Sequence, residues 1–413
     1  MPMPLGPILW VLQKLERFVR WVWKKQKQGP LKKAVVAWSA VGFPLLSDSL
    51  VRYYEFKGVP LFTYPGLSTR VPLYVRQSWL SLTDQSLVMT LSPTDSPVQL
   101  GKKERAFVAL YPKVRRAMGL AQLWNGRVFR LVKLGTSDDQ LRLEFELGHF
   151  FDALACQYAL EHEARLVLSR RRKGKEVEAC ELPLRESLAA TSSAIERFCE
   201  TQAVRIGISN LILFRVDRNT YRPAIRARGS LSMGHMGNFD PISSGILDIS
   251  TANPNVDFQI YYKVLKEIYE ELFGGKEVEK EMSGLEPDFF FSKRPIKALR
   301  DMLDDGRASF RLTGFCIDLI RVVPEITTVL VVRDESYYAE YRDKFKVNLE
   351  YGPPSFCEIP QDILDVDEYL AKRFPSNPAE PEGKKGFDPS NWTLPGAFCF
   401  YQGLKRAVSG KLL

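Results

Sequence analysis

The sequence predicts an α/β fold, with a mixed sheet sandwiched by helices in the C-terminal half and an α+β region before it. Three observations carry that prediction. ISNLILFRVD at 208–217 and the long run FRLTGFCIDLIRVVPEITTVLVVRD read as strands rich in β-branched and aromatic residues. VDFQIYYKVLKEIYEELFG at 256–274 repeats apolar residues every fourth position, the period of a helix lying on a sheet. The chain has 413 residues, beyond the roughly 250–300 that one hydrophobic core sustains, so more than one folding region is expected.

The elements follow in order. PILWVLQKLERFVRWVWKKQKQ near the start places Trp10, Val11, Leu15, Phe18 and Val22 at helical spacing, interrupted by Lys14, Arg17, Arg20, Lys24 and Lys25. That is a basic amphipathic helix, and residues 8–25 suit a membrane surface or a protein partner; packing on the chain's own core is the alternative. Charges begin only at Lys14 and no small-residue cleavage site follows, so the segment does not read as a signal peptide. Residues 34–116 read as irregular. VPLFTYP and VPLYVRQSWLSL carry prolines that confine any strand to a sheet edge, and LVMTL is a strand running into a Pro/Ser/Asp loop.

RVFRLVKLG and QLRLEFELG alternate apolar and polar residues around Gly135–Asp139, the pattern of a β-hairpin. Helices are expected in HFFDALACQYALEHEARL and in SLAATSSAIERFCETQAVRIG, separated by the basic run RRRKGK, which reads as a solvated loop or a phosphate contact. After the strand at 208–217, YRPAIRARG is expected to return as a hairpin partner, followed by a Gly/Ser/Met-rich loop and the short strand GILDIS. The 256–274 helix starts at Pro254-Asn255, with Asn255 as N-cap, and stops at Gly274 and Gly275. Two strands separated by Pro324 come next, then helices in YYAEYRDKFKVNLEY, DILDVDEYLAKRF and LPGAFCFYQGLKRAV. The organisation expected is 1–120, an N-terminal region; 121–206, a hairpin with helices that can run on into the next region; and 207–413, the main α/β domain.

Composition narrows the chemistry. Six cysteines without a CxxC pair and three histidines without metal-binding spacing disfavour zinc and a disulfide framework, and point to a reducing cytoplasm. A net charge of +9 favours anionic partners, or simply solvated lysines. Nucleic acid is disfavoured, because the basic residues are dispersed and no reading motif accompanies them.

The helix at 256–274 holds the most chemistry. Glu267 neighbours Glu270 at i+3 and Glu271 at i+4, so three carboxylates crowd one flank and a hard cation would relieve their repulsion. A plain acidic surface face is the alternative. KEIYEE at 266–271 resembles REUxEE, the helical part of the signature of the Nudix hydrolase superfamily, with U an aliphatic residue and lysine in place of arginine. Gly245 resembles its opening glycine. The matched motif spans about thirty residues, and the strand order after it is similar as well. The resemblance implies a Nudix-like fold in which Glu267, Glu270 and Glu271 hold magnesium or manganese. It also implies hydrolysis of a nucleoside diphosphate linked to another moiety, with one glutamate or Asp318 as general base. The departures are definite: the motif's upstream glutamate falls at Phe258, the loop after Gly245 is longer, the final glycine comes one residue late, and Lys266 lacks the fork of an arginine. They favour a second reading, an inactive nucleotide-sensing or protein-interaction module. Arg226 and Arg228 alternate on one strand and are candidates for phosphate contact, or ordinary surface arginines. His235 lies in the adjoining loop, and Tyr261, Tyr262 and Phe239 could stack on a base or fill the core. The location expected is cytoplasmic, peripheral to a membrane if residues 8–25 bind one.

Overall fold

The computed structural model describes residues 29–413 apart from 68, 93, 95–97, 99, 120–122, 124, 138–139, 171–180, 203, 229–237, 276–288, 347–350, 355–356 and 381. The amphipathic segment at 8–25, most of the RRRKGK run and His235 therefore lie outside the described residues.

The fold is α/β. Among the described residues, an eight-stranded mixed sheet runs in the order β1 (Leu61–Thr63), β2 (Arg70–Tyr74), β12 (Ala308–Asp318), β13 (Val323–Val332), β7 (Gly207–Asp217), β8 (Thr220–Pro223) and β15 (Ile359–Pro360), with β11 (Ser244–Ile246) also on β7. β13 and β7 are parallel and the other pairs antiparallel. β13 occupies one edge of β7, so β8 and β11 share the other, at opposite ends of the strand. Both β7 and β13 are buried over nearly their whole length, which is why they read as continuous apolar runs.

Helices cover both faces. Gly403 of α12 (Leu394–Ser409) lies against the Leu211 side chain, while Phe214, three residues along β7 and so on the opposite face, stacks on Tyr337 of α10 (Glu335–Tyr341). A second sheet holds β3 (Leu87–Leu91), β5 (Gln140–His149), β4 (Arg127–Ser137) and β6 (Val204–Arg205), and a third joins β10 (Phe239–Pro241), β9 (Ile225–Arg228) and β14 (Tyr351–Pro354). The expected hairpin at 127–147 is the β4–β5 pair.

Several expectations need correction. Residues 34–116 are not irregular throughout: α1 (Pro30–Ala40), α2 (Phe43–Phe56) and α3 (Lys102–Ala117) lie there, the first two each opened by a proline in the first turn. β1 is the edge that its prolines imply, but β2 pairs with β12, so residues ahead of the boundary at 120 complete the sheet built by 207–332. YRPAIRARG divides between sheets, since β8 pairs with β7 whereas β9 turns away at Ala224 to join β10. Pro324 does not separate two strands. It sits inside β13 opposite Ile317, one residue before β7 joins at Glu325, where a missing N–H is tolerated. The turn falls earlier, at Val322, whose φ is 56°.

The glutamate helix is also interrupted. A short α7 (Pro254–Asp257) is capped by the Asn253 side chain rather than Asn255, and α8 (Ile260–Glu267) begins afresh before continuing as a π-helical turn over Ile268–Leu272. The break has a local cause: Asp257 is buried and accepts from Thr251 N, Thr251 Oγ1 and Ser250 Oγ, which ties the helix start back to the preceding loop. Gly274, at φ 64°, ends the helix as expected.

Between residues 150 and 170, α4 runs from Phe150–Ala153 through a π-turn at Leu154–Tyr158 into Ala159–Arg170. α5 (Pro183–Ala189) and α6 (Ser192–Thr201) replace the single helix expected before β6. Among the described residues no single helix is long and apolar enough to cross a membrane.

Candidate functional site

One cleft of about 350 Å³ lies where the end of β12, the starts of β13 and β7, β11, the π-turn of α8 and the N-terminus of α12 converge. Its acidic wall includes Glu267, Glu271, Glu325, Asp318 and Asp240; Arg228, Arg205, Arg321 and Arg115 line it as well. Antiparallel register places Asp318 opposite Val323 and Cys316 opposite Glu325, so Asp318 and Glu325 rise from one face of adjacent strands.

Glycine makes room for these carboxylates. A Cβ on Gly245 would stand 2.6 Å from Glu267 Oε1; one on Gly207, 1.8 Å from Glu325 Oε2; and one on Gly396, 2.3 Å from Asp240 Oδ1. None of the three positions accepts a larger residue without moving an acid. Glu271 Oε2 accepts from the Ser243 N–H at 2.7 Å, and Ser243 holds a φ of 79° to present it. Glu325 Oε1 accepts from Ser209 Oγ at 2.6 Å.

Two buried lysines hold the base of the helix. Lys263 donates to Asp248 at 2.6 Å and pairs with Glu267 one turn away; Lys266 reaches Asp248 at 3.4 Å. Burial alone would push both amines down, but the charge of Asp248, reinforced by Glu267 and Glu270, holds both above the ordinary lysine value. Lys266 thus reaches both oxygens of Asp248 from one ammonium nitrogen, at 3.4 and 3.5 Å. Phe258 packs on Phe129 and Phe145. Among the described residues no three carboxylate, imidazole or thiol groups are gathered as a cation cage.

Arg205 and Arg321 flank Tyr158. Arg205 Nη2 donates to the phenol oxygen at 3.1 Å, and the Arg321 guanidinium lies 4.4 Å from the ring centre. Arg321 Nε also donates to Glu161, whose other oxygen takes Arg165 Nε at 2.7 Å. Burial opposes ionisation of Tyr158, yet Arg205 and Arg321 outweigh it and hold the phenol below its ordinary value. For the acids burial wins: Asp318 is pushed up to about 6 despite Arg321, Glu325 to about 8 despite Ser209, and Asp240 is raised despite Arg228.

Of the residues singled out from sequence, Glu267, Glu271, Gly245, Arg228 and Asp318 meet in this cleft. Glu270 does not line it. The widened π-turn, closed by Phe273 N to Ile268 O at 3.3 Å, keeps Glu271 near the flank of Glu267 and leaves Glu270 to one side. Arg226 is placed differently from the sequence expectation. It is fully buried, and its Nη1 donates to the carbonyls of Glu271 and Lys346, fastening the helix end rather than facing a ligand. Arg228 lines the cleft and pairs with Asp240 at 2.8 Å. Tyr262 packs on Phe290, Tyr261 on Phe310 and Phe239 on Trp392, which is the core alternative for all three.

Sequence reading passed over Glu325, Arg321, Arg205 and Tyr158. A signal for two of them existed: ionisable residues inside the apolar run FCIDLIRVVPEITTVLVV are expensive to bury and mark a site by that cost. Arg205 and Tyr158 carried none, since nothing local brings a helix at 150–170 beside a strand at 323. No protein-family model matches the chain, and comparison with curated proteins returns no match.

Proposed function

We propose that this cleft binds a nucleoside diphosphate linked to a second moiety and hydrolyses it as Nudix-like enzymes do. The observation that carries the reading is the meeting of Glu267 and Glu271, from the Nudix-like helix, with Arg228, Asp318 and Glu325 around one cavity. Magnesium is typically held by one or two carboxylates plus substrate phosphates and water, so Glu267 and Glu271 suit it, or manganese, without a protein cage. When bound, the cation would polarise phosphoryl oxygens and lower the pKa of water.

The chain's own residues have distinct parts. Arg228 presents a guanidinium to a phosphate while remaining anchored on Asp240. Asp318, at about 6, is largely ionised at neutral pH and can accept a proton from water. Glu325, at about 8, is largely protonated there and can donate one to a leaving phosphate. Two buried acids whose proton affinities are driven apart by their surroundings support a division into base and acid. The experiment is turnover of ADP-ribose, dinucleoside polyphosphates and nucleotide sugars with magnesium: activity lost in Glu271→Gln is expected, and none with any of them sinks the reading.

A second reading, a nucleotide-sensing module without turnover, is favoured by one observation. Lys263 already neutralises Glu267, as a permanent ammonium would in a site that has no need of a cation. Ligand-induced thermal stabilisation that is indifferent to EDTA, with no product formed, would select it.

A further inference from the structure

We propose that Arg205 and Arg321, on either side of Tyr158, form a separate anion subsite that receives a phosphoryl oxygen without a metal ion. The assignment deepens the reading of the cleft as a phosphate site, but it rests on residues outside the Nudix-like helix.

The two arginines come from distant parts of the chain, β6 and the β12–β13 turn, and both line the cleft while only 8% exposed. Each is incompletely satisfied: Arg205 Nε and Arg321 Nη2 are buried and have no hydrogen-bond partner among the described residues. A buried guanidinium donor without an acceptor is costly, and the cost is recovered when an anionic oxygen supplies the acceptor. The local charge is also unbalanced. Glu161 is a single carboxylate shared by Arg165 and Arg321, and Arg205 donates to a phenol, Tyr158, rather than to a carboxylate. Of the cleft acids that interact with these arginines, Asp318 stays largely ionised at neutral pH, whereas Glu325 is held largely protonated by burial. Positive charge is therefore concentrated around Tyr158, where Arg205, Arg321 and Arg115 meet. A ligand that spans the cleft carries a phosphoryl group at these arginines and a second, cation-binding group at Glu267 and Glu271. Arginine suits the task, because its planar fork contacts two phosphoryl oxygens at once.

The test is calorimetric titration of the full chain with inorganic phosphate in EDTA. Saturable binding is expected, weakened about tenfold or more in Arg205→Gln and unchanged in Arg307→Gln, which removes an exposed guanidinium elsewhere. Because Arg321→Gln could disturb the Glu161 pair and the fold, a second measurement uses the intact arginines. The alkaline difference titration of wild type against Tyr158→Phe isolates one phenol, faced by Arg205, Arg321, Arg115, Glu161 and Tyr111. Phosphate is expected to move its ionisation to higher pH, since a bound anion adds negative charge beside it. Equal phosphate affinity in Arg205→Gln and wild type, or a Tyr158 titration blind to phosphate, overturns the subsite. Phosphate binding without turnover would sink the hydrolase reading alone, and turnover without phosphate binding in EDTA would sink the subsite alone.

Discussion

Gly245 and Glu267 are in contact: a Cβ built on the glycine would stand 2.6 Å from Glu267 Oε1 and 2.7 Å from its carboxyl carbon. Gly245 and Glu267 are therefore one unit, although 22 positions separate them in the chain. Gly245→Ala must displace the carboxylate, whose Oε1 is also paired with Lys263. The fold is expected to lose roughly 1 kcal/mol, at the low end for overpacking. The cleft is expected to lose about tenfold or more in kcat/KM or ligand affinity. Denaturant unfolding and a binding titration on the same sample check both, and a variant with wild-type affinity would separate Gly245 from the site.

Glu270 and Glu271 are adjacent in the chain and unequal in the cleft. Glu271→Gln is expected to lower turnover about a hundredfold or more, and Glu270→Gln by less than about fivefold. Steady-state kinetics with magnesium distinguishes them. The reverse order would show that the π-turn shifts when a ligand binds.

Glu325 makes stability depend on pH. Its proton affinity rises from an ordinary 4.5 to about 8 in the folded chain, with burial as the cause. Between those values the folded chain keeps a proton that the unfolded chain has released. Its contribution is therefore full below about 4.5 and is lost as pH rises through about 8, at up to about 1.4 kcal/mol per pH unit. Glu325→Gln is expected to gain on the wild type between pH 6 and 8. Urea unfolding across that window measures the difference, and parallel curves would place the titration elsewhere.

Lys263 is 3% exposed and pairs with both Asp248 and Glu267. Removing one partner from a buried ionic group strands the others, so Lys263→Met is expected to cost about 3 kcal/mol. Adding Glu267→Gln should recover part of that loss, because the two sites are coupled. A single-variant cost below about 1 kcal/mol would mean that water reaches Asp248 and Glu267.

The secondary structure was most legible where burial on both faces erased alternation. Ile208 to Asp217 and Val323 to Val332 read as strands because each sits between neighbours and under helices. The glutamate helix was legible from its period, but its break was not. The tie between Asp257 and the Ser250–Thr251 loop is a side-chain choice that a four-residue repeat does not reveal. Pro324 misled for a related reason, because proline is excluded from a strand only where a ladder bond needs its N–H.

Of the residues that line the cleft, the sequence by itself named Glu267 and Glu271, because spacing along one helix puts residues on one side, and Arg228 by alternation on its strand; Gly245 was named through the resemblance of the motif. The sequence named Asp318 as well, but nothing local said that Arg228 and Asp318 would meet there. Only the tertiary structure decided that Arg226 turns inward while Arg228 faces the cleft, that Glu325 and Asp318 share a sheet face, and that Arg205, Arg321 and Tyr158 join them in the cleft. Those choices depend on strand register and on which helix crosses which edge, and both are set by burying the whole core at once rather than by any local pattern.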